Sequence, residues 1–305
     1  MNILVFGSNG LVGNSIRRVF DGNELFDRIT YSTRKDTNLF DYEETKNTIQ
    51  DLNPDIIINA AAKVGGIFAN NTQRTEFLIE NIKINTNILE ACIPNNKIKI
   101  INLGSSCIYP LNAKNPITEE SFMTGRLEPT NSPYAMAKLT AIELGNSLNI
   151  EYGHKVINLM PTNLYGPNDN FSEESSHVIP GLIRRMSNAK DNSQEEFLIW
   201  GTGKPLREFL FVDDLALAII FILENNVEEN LINIGSGDEV TIFELAQRIK
   251  KTINFNGELR FDSSKPDGNP RKLLDSTLIK NYGWKPKTNL ETGLQISYEW
   301  FKNNY

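Results

Sequence analysis

The 305 residues are about twice the roughly 150 of an average domain, so two domains or one large α/β unit fit the length. A composition of 40% hydrophobic and 23% charged residues excludes a disordered tail or a fibrous repeat. With 31 basic against 38 acidic residues the net charge is −7, which leaves no electrostatic footprint for nucleic acid or an anionic membrane.

The chain opens with Met1-Asn2-Ile3-Leu4-Val5-Phe6-Gly7, a short apolar run with no basic leader that meets glycine at once, so it reads as a strand and not as a signal peptide. No run reaches the roughly 18 apolar residues of a membrane span. Cys92 and Cys107 are the whole cysteine complement, too few for a disulfide framework and suited to a reducing compartment. A soluble, cytoplasmic protein is expected.

Strand-like runs follow at Ile29 to Tyr31, Ile56 to Ile58, Ile98 to Leu103 and Val156 to Met160, separated by segments of helical spacing such as Phe77 to Cys92. This alternation predicts an α/β fold with a doubly wound parallel sheet of Rossmann type, whose ligands sit at the carboxyl ends of the strands. Beyond Tyr165-Gly166-Pro167 the pattern loosens through polar stretches at 168–176 and 188–196, which predicts a smaller second lobe. Leu210-Phe211-Val212 and Leu231 to Gly235 read as strands returning to the sheet, and Thr241 to Ile253 as a later helix. The expected division is 1–168 with 208–235 for the cofactor domain, and 169–207 with 236–305 for the substrate domain.

The first strand runs into Gly7-Ser8-Asn9-Gly10-Leu11-Val12-Gly13 and a helix from Asn14 to Phe20. Strand, glycines and helix in that order let backbone approach a pyrophosphate whose charge rests on the free N–H groups of a helix N-terminus. About 20 residues on, where an NAD site places a carboxylate on the ribose, the chain reads Tyr31-Ser32-Thr33-Arg34-Lys35. Two basic residues there favour a 2′-phosphate, hence NADP over NAD.

The strand Ile98 to Leu103 leads into Gly104-Ser105-Ser106-Cys107. In extended chain Ser105 and Cys107 share a face and Ser106 points away. Tyr134 and Lys138 follow Pro133 at a helical i, i+4 spacing, which makes them neighbours. An ammonium beside a phenol favours the phenolate, and a serine hydroxyl can hold the same substrate oxygen, so the set reads as a proton donor for a carbonyl. Cys92 lies in an apolar helical pattern and reads as a core residue. His154, in Tyr152-Gly153-His154-Lys155, reads as a surface turn residue.

With these residues in view the chain resembles the extended short-chain dehydrogenase/reductase superfamily and, within it, the GDP-L-fucose synthase family of GDP-4-keto-6-deoxy-D-mannose 3,5-epimerase/4-reductases. The resemblance covers nearly the whole chain, through Ala60 to Ile67, Leu103 to Pro110, Leu127 to Asn131, Pro161 to Pro167 and Ser176 to Pro180. It continues through Trp200-Gly201, Arg207 to Leu210, Val212 to Asp214 and the run from Lys265-Pro266-Asp267-Gly268 to Asp275. One departure is Asn9, where bacterial members often carry Arg.

The resemblance implies that Ser105, Tyr134 and Lys138 form the reductive triad for NADPH, and that Cys107 and His177 exchange the protons at C3 and C5 before reduction. It also implies cofactor contacts from Gly7 through Gly13, Arg34, Ala61, Tyr134, Lys138, Pro161, Asn163, Leu164 and His177. The GDP-sugar would meet Lys63, Arg185, Trp200, Arg207 and Lys272. No metal is assigned, and a homodimer through helices of the large domain is implied. Two alternatives stay open: a C4 reductase or epimerase/reductase acting on another GDP-4-keto sugar such as a GDP-heptose, and a catalytically silent NADP sensor on the same fold. A 4,6-dehydratase fits less well, since an Asp-Glu pair is usual where this chain has Ser106-Cys107.

Overall fold

The computed structural model describes all residues except 174, 265 and 266; Lys265 and Pro266 of the family-like run therefore lie outside the described residues. In chain order the first half holds β1 (Asn2–Phe6), α1 (Leu11–Phe20), β2 (Arg28–Ser32), α2 (Tyr42–Leu52), β3 (Ile56–Asn59), α3 (Ile67–Thr72), α4 (Arg74–Cys92) and β4 (Lys99–Leu103). It continues with α5 (Ser132–Tyr152), β5 (Lys155–Pro161), β6 (Asn163–Tyr165), α6 (Val178–Asp191), β7 (Glu196–Trp200), β8 (Leu206–Phe211) and α7 (Val212–Glu224). The last elements are β9 (Leu231–Ile234), β10 (Glu239–Thr241), α8 (Ile242–Ile253), β11 (Glu258–Asp262), β12 (Arg271–Lys272), α9 (Thr277–Asn281) and α10 (Leu290–Asn304).

Six strands form one parallel sheet in the order β2-β1-β3-β4-β5-β9, the doubly wound α/β arrangement the alternation predicts. Its inner strands are mainly apolar because alternate residues feed two cores. Ile3, Val5, Ile56, Ile58, Ile101 and Leu103 pack with Ile16, Phe20, Leu215 and Ile219 of α1 and α7. Leu4, Phe6, Ile57 and Ile100 face Ile84, Ile88, Leu89 and Cys92 of α4, with Leu148 of α5. Cys92 is fully buried there, as its helical pattern implies.

A smaller sheet, β10-β8-β12 with β6 on β8, gathers the later chain, and β7 pairs β11 beside it. Their core joins Phe197, Phe209, Phe211, Leu245, Leu294 and Phe301. This corrects the reading of Leu210-Phe211-Val212 as a return to the large sheet. Leu210 and Phe211 belong to β8 in the small sheet, Val212 begins α7, and only β9 rejoins the large one. Asp213 and Asp214 in the first turn suit a helix start, since carboxylates favour the positive end of the helix dipole.

His154 is a second correction. Gly153 closes α5 in the left-handed region at φ 71°, and the chain then dives back to β5, so His154 is 4% exposed and its imidazole is pushed down by burial. A glycine followed by histidine signals a turn, but nothing in that dipeptide says which way the next side chain points. Among the described residues no helix is long and apolar enough to cross a membrane.

Candidate active site

Two assemblies lie at the carboxyl ends of the large sheet's strands. The first is the turn after β1. Gly7 adopts φ +77°, and a Cβ there would come within 2.5 Å of the Ala61 nitrogen; a Cβ on Gly13 would overlap the Gly7 carbonyl. Gly10 differs, because a Cβ there would meet only the Gly7 oxygen at 3.6 Å. Gly7 and Gly13 are thus required by the chain itself, whereas Gly10 leaves open space for something outside it.

Helix α1 begins at Leu11, three residues before the sequence reading has it. Leu11, Val12 and Gly13 therefore form its first turn, whose amides have no preceding helical carbonyl to bond. Gly10 caps it without a side-chain bond and no acidic residue lies in that turn, so the positive end of the helix faces outward unopposed. The Ser8 hydroxyl beside it is buried with no partner. Ser32 O accepts from both Gly7 N (3.1 Å) and Ser8 N (3.2 Å), which ties the β2 loop to the turn. Arg34, exposed in that loop, lies over the Phe40 ring at 4.8 Å. Ala61 N is held by Asn59 Oδ1 at 3.1 Å. These residues fit a dinucleotide with a phosphate-bearing ribose.

The second assembly starts where β4 ends. The Ser105-Ser106-Cys107 run is not extended throughout: Ser105 is extended (φ −162°, ψ 146°), and a single 3₁₀ turn follows over Ser106–Ile108, with Ser105 Oγ accepting from Cys107 N at 3.2 Å. Ser105 and Cys107 are neighbours because of that bond and not because of strand alternation. Ser106 is buried away from the cleft, as expected. Close packing requires the glycine before Ser105, since a Cβ at position 104 would overlap Met160.

Helix α5 begins at Ser132, with Pro133 in its first turn where a missing N–H costs nothing. Tyr134 hydrogen-bonds Ser105, stacks edge-on against Phe77 with ring centroids 6.3 Å apart, and has the Lys138 ammonium 5.8 Å from its ring centre. The expected lowering of the phenol by that amine does not occur. Burial raises the phenol most, the nearby Cys107 raises it further, and the Ser105 hydrogen bond only partly opposes them. Lys138 instead donates to Leu103 O at 2.6 Å, and burial lowers it to about 8. Tyr134 thus stands as a neutral phenol, which is the form that has a proton to give.

The remaining predicted residues approach from the later chain. His177 is the exposed N-terminal cap of α6; the protein mass around it disfavours its charged form and lowers its pKa. Its segment is tied to the loop after β3, since Gly66 N donates to Ser175 O at 3.1 Å. Asn163 donates to Glu208 O at 2.8 Å, Pro161 is buried at the end of β5, and Leu164 packs on the large core. Arg185 lies 5.9 Å from the ring centre of the exposed Trp200. Arg207 donates to Leu206 O at 2.7 Å, close to Gly268.

Two lysines of the predicted set have contacts within the protein. Lys63 pairs with Glu76 (2.5 Å) and Glu80 (3.3 Å) of α4, so its charge is already met on the protein. Lys272 points its ammonium at Cys107 Sγ, 3.6 Å away.

Sequence reasoning missed three groups. Asn131 donates its amide to Cys107 Sγ at 3.3 Å. Asn59, Asn102 and Asn158, aligned across β3, β4 and β5, form a buried amide ladder, with Asn59 to Asn102 at 3.1 Å and Asn102 to Asn158 at 3.0 Å. Glu208, fully buried, accepts from Gly237 N at 2.8 Å and Leu274 N at 3.1 Å. A polar residue set in an otherwise aliphatic strand is the signal that marks the ladder, because a buried amide demands a partner.

The model of the NAD dependent epimerase/dehydratase family matches residues 3–235. The chain is 46% identical to GDP-L-fucose synthase 1 of Arabidopsis thaliana over 302 residues, 99% of this chain and 93% of that one. Among solved structures it is similar to a GDP-L-fucose synthetase from Naegleria fowleri bound to NADP, with TM-score 0.88 and 31% identity, covering 100% of this chain and 94% of that one. It is also similar to a GDP-6-OMe-4-keto-L-xylo-heptose reductase from C. jejuni, with TM-score 0.92 and 31% identity, covering 100% and 98%. With its glycine turn, parallel sheet and Ser-Tyr-Lys set, the chain belongs to the NAD dependent epimerase/dehydratase family, in the branch that holds the GDP-L-fucose synthases.

Proposed function

We propose that this protein catalyses the NADPH-dependent 3,5-epimerisation and 4-keto reduction of GDP-4-keto-6-deoxy-D-mannose to GDP-L-fucose. The observation that carries the reading is the junction of the Ser105–Tyr134 hydrogen bond with the Cys107 thiol. A reductase alone has no use for a thiol beside its proton donor. The full-length identity of 46% to a GDP-L-fucose synthase supports the 6-deoxyhexose; the 31% shared with both a fucose synthetase and a heptose reductase does not separate the two.

Bound NADPH supplies the hydride for the C4 carbonyl. The glycine turn from Gly7 to Gly13 holds the pyrophosphate on backbone amides, and Arg34 meets the 2′-phosphate. Ser105 and Tyr134 hold the C4 oxygen. Because C3 and C5 flank that carbonyl, losing a proton from either carbon places negative charge on the held oxygen, where both hydroxyls stabilise it. Cys107 and His177 serve as the pair that removes and returns those protons. Reduction then draws the phenolic proton of Tyr134 onto the C4 oxygen, and Lys138 orients the nicotinamide ribose. Arg185, Trp200, Arg207 and Lys272 line the GDP end.

The reading extends to a division into 1–168 with 208–235 for the cofactor and 169–207 with 236–305 for the sugar nucleotide; two hydrophobic cores support it in outline, but Phe209 and Phe211 of the first range pack in the second core, and Ile279 and Trp284 of the second range pack in the first. It extends also to a cytoplasmic homodimer through helices of the large sheet, supported by exposed Ile79 on α4 and Met136 on α5. The test is incubation with the 4-keto sugar nucleotide and NADPH in deuterated water, followed by absorbance and NMR. GDP-L-fucose deuterated at C3 and C5 is the expected product. NADPH consumption giving an unexchanged sugar would reduce the protein to a C4 reductase, and no reaction would move the reading to another 4-keto sugar.

A further inference from the structure

Cys107 Sγ receives two nitrogen donors from opposite parts of the chain: Asn131 Nδ2 at 3.3 Å, ahead of α5, and Lys272 Nζ at 3.6 Å, from β12. Each donor is independently fixed. Asn131 N donates to Glu128 Oε2 at 3.1 Å, and Arg74 braces the same loop through Pro129 O at 2.8 Å and Ser132 Oγ at 3.1 Å. Lys272 is paired with Arg207 across β12 and β8. The residues after it are pinned by Leu273 N to Asn115 Oδ1 at 2.8 Å and by Leu274 N to Glu208 Oε2 at 3.1 Å.

A neutral thiol is a weak acceptor and offers little to an ammonium and an amide together, whereas an anionic sulfur meets both. The Asn131 and Lys272 side chains converge on one reactive atom. We infer that Asn131 and Lys272 are positioning residues for Cys107, a donor pair that holds its sulfur aimed and charge-compensated as an anion for proton exchange. The inference deepens the epimerase reading and rests on it.

The charge balance of the step gives Lys272 its purpose. When Cys107 removes a carbon-bound proton, an S–H bond forms, the C–H bond breaks, and its electron pair passes to the C4 oxygen held by Ser105 and Tyr134. Negative charge leaves the sulfur and appears on that oxygen. Inversion is completed when His177 gives its proton to the opposite face of that carbon and the electron pair returns from the C4 oxygen to the new C–H bond; loss of the thiol proton to solvent then leaves the sulfur again an anion facing Lys272 and Asn131. A diphosphate contact alone would give Lys272 no reason to point at sulfur.

The test reads the thiol without substrate. The free protein is alkylated with iodoacetamide, a neutral probe, at pH 7, and modification of the Cys107 peptide is followed by mass spectrometry, with buried Cys92 as internal control. Lys272→Gln should slow alkylation of Cys107 by about tenfold, because a charge at this distance acts on the anion directly. Lys272→Arg should keep most of the parent rate, since it keeps the cation. Asn131→Ala should slow it by about threefold, the low end of a single hydrogen bond's net worth. Equal rates in the parent and Lys272→Gln would overturn the inference, and so would equal slowing by the Arg and Gln variants, which would indicate packing and not charge. If the alkylation pattern holds but the parent exchanges no proton at C3 or C5, the donor pair stands and the epimerase reading falls.

Discussion

The turn after β1 and the cluster after β4 occupy equivalent places, each just beyond the carboxyl end of a neighbouring region of one parallel sheet, yet they are built by different means. The turn works with backbone: Gly7, Gly10 and Gly13 set it, amides of α1 face outward, and one peptide unit at Ser32 ties in the adjacent loop. The cluster works with side chains delivered by five separate segments, at Ser105, Asn131 to Lys138, His177, Arg207 and Lys272. A backbone site binds what a whole class of cofactor shares. A side-chain site is where the choice of reaction lies, because changing one group there changes the chemistry and leaves the frame standing.

The sharpest way to break the comparison is to remove one group from the cluster. Tyr134→Phe removes the group assigned to protonate the C4 oxygen, so NADPH oxidation should fall by roughly 10²- to 10⁴-fold, the usual weight of a positioned acid. NADPH binding, measured by fluorescence, should stay near the parent value, because the turn is untouched. Undiminished oxidation would take Tyr134 out of the mechanism. Cys107→Ser should cut exchange at C3 and C5 by at least about 100-fold while leaving cofactor binding intact, since serine lacks the acidity of a thiol. Equal exchange in variant and parent would sink that role.

The turn can be divided in the same way. Gly13→Ala forces a methyl group into the Gly7 carbonyl, so it should destabilise the fold by about 1–3 kcal/mol, read as a lower denaturation midpoint, and weaken NADPH as well. Gly10→Ala places its methyl in open space, so the midpoint should hold while NADPH affinity falls several-fold. A pair of variants that lose stability alike would mean that all three glycines serve packing, and the turn would lose its claim to a ligand.

How much of this was legible in the sequence follows the same division. The large sheet was readable because both of its faces are buried and its strands are aliphatic, and the turn was readable because seven consecutive residues carry it. Ser105, Tyr134 and Lys138 were readable as neighbours, but the direction of Tyr134's shift was not, since i, i+4 spacing says nothing about burial or about Leu103 O competing for the ammonium. Asn131 was within a quoted family-like run and still carried no role. Its meaning depends on Cys107, 24 residues away, and on Lys272 from another sheet. Leu210-Phe211-Val212 misled because an apolar triplet does not tell which sheet it joins.

A last effect lies at the seam where the loop after β6 meets α1. Asp169 follows β6, next to Asn168, which accepts from Arg18 of α1 at 2.9 Å. Its side chain is buried; Oδ1 accepts from Asn170 N at 2.7 Å, and Oδ2 has no partner. Burial raises this carboxyl to about 7, opposed only by the Asn170 bond. Below about pH 4 the carboxyl is protonated in both folded and unfolded chains, and its contribution to stability is fully present. Between about pH 4 and 7 the unfolded chain releases the proton and the folded one keeps it, so that contribution is lost as pH rises and then levels off. The paired carboxylates of the surface work in the opposite direction, so the quantity to measure is the difference between Asp169→Asn and the parent in chemical denaturation at several pH values. The variant should gain about 1–3 kcal/mol relative to the parent from pH 4 to pH 7. A difference that stays flat across this range would mean that Asp169 ionises freely in the folded chain, and that the seam admits water where its buried, unpartnered oxygen says it is dry.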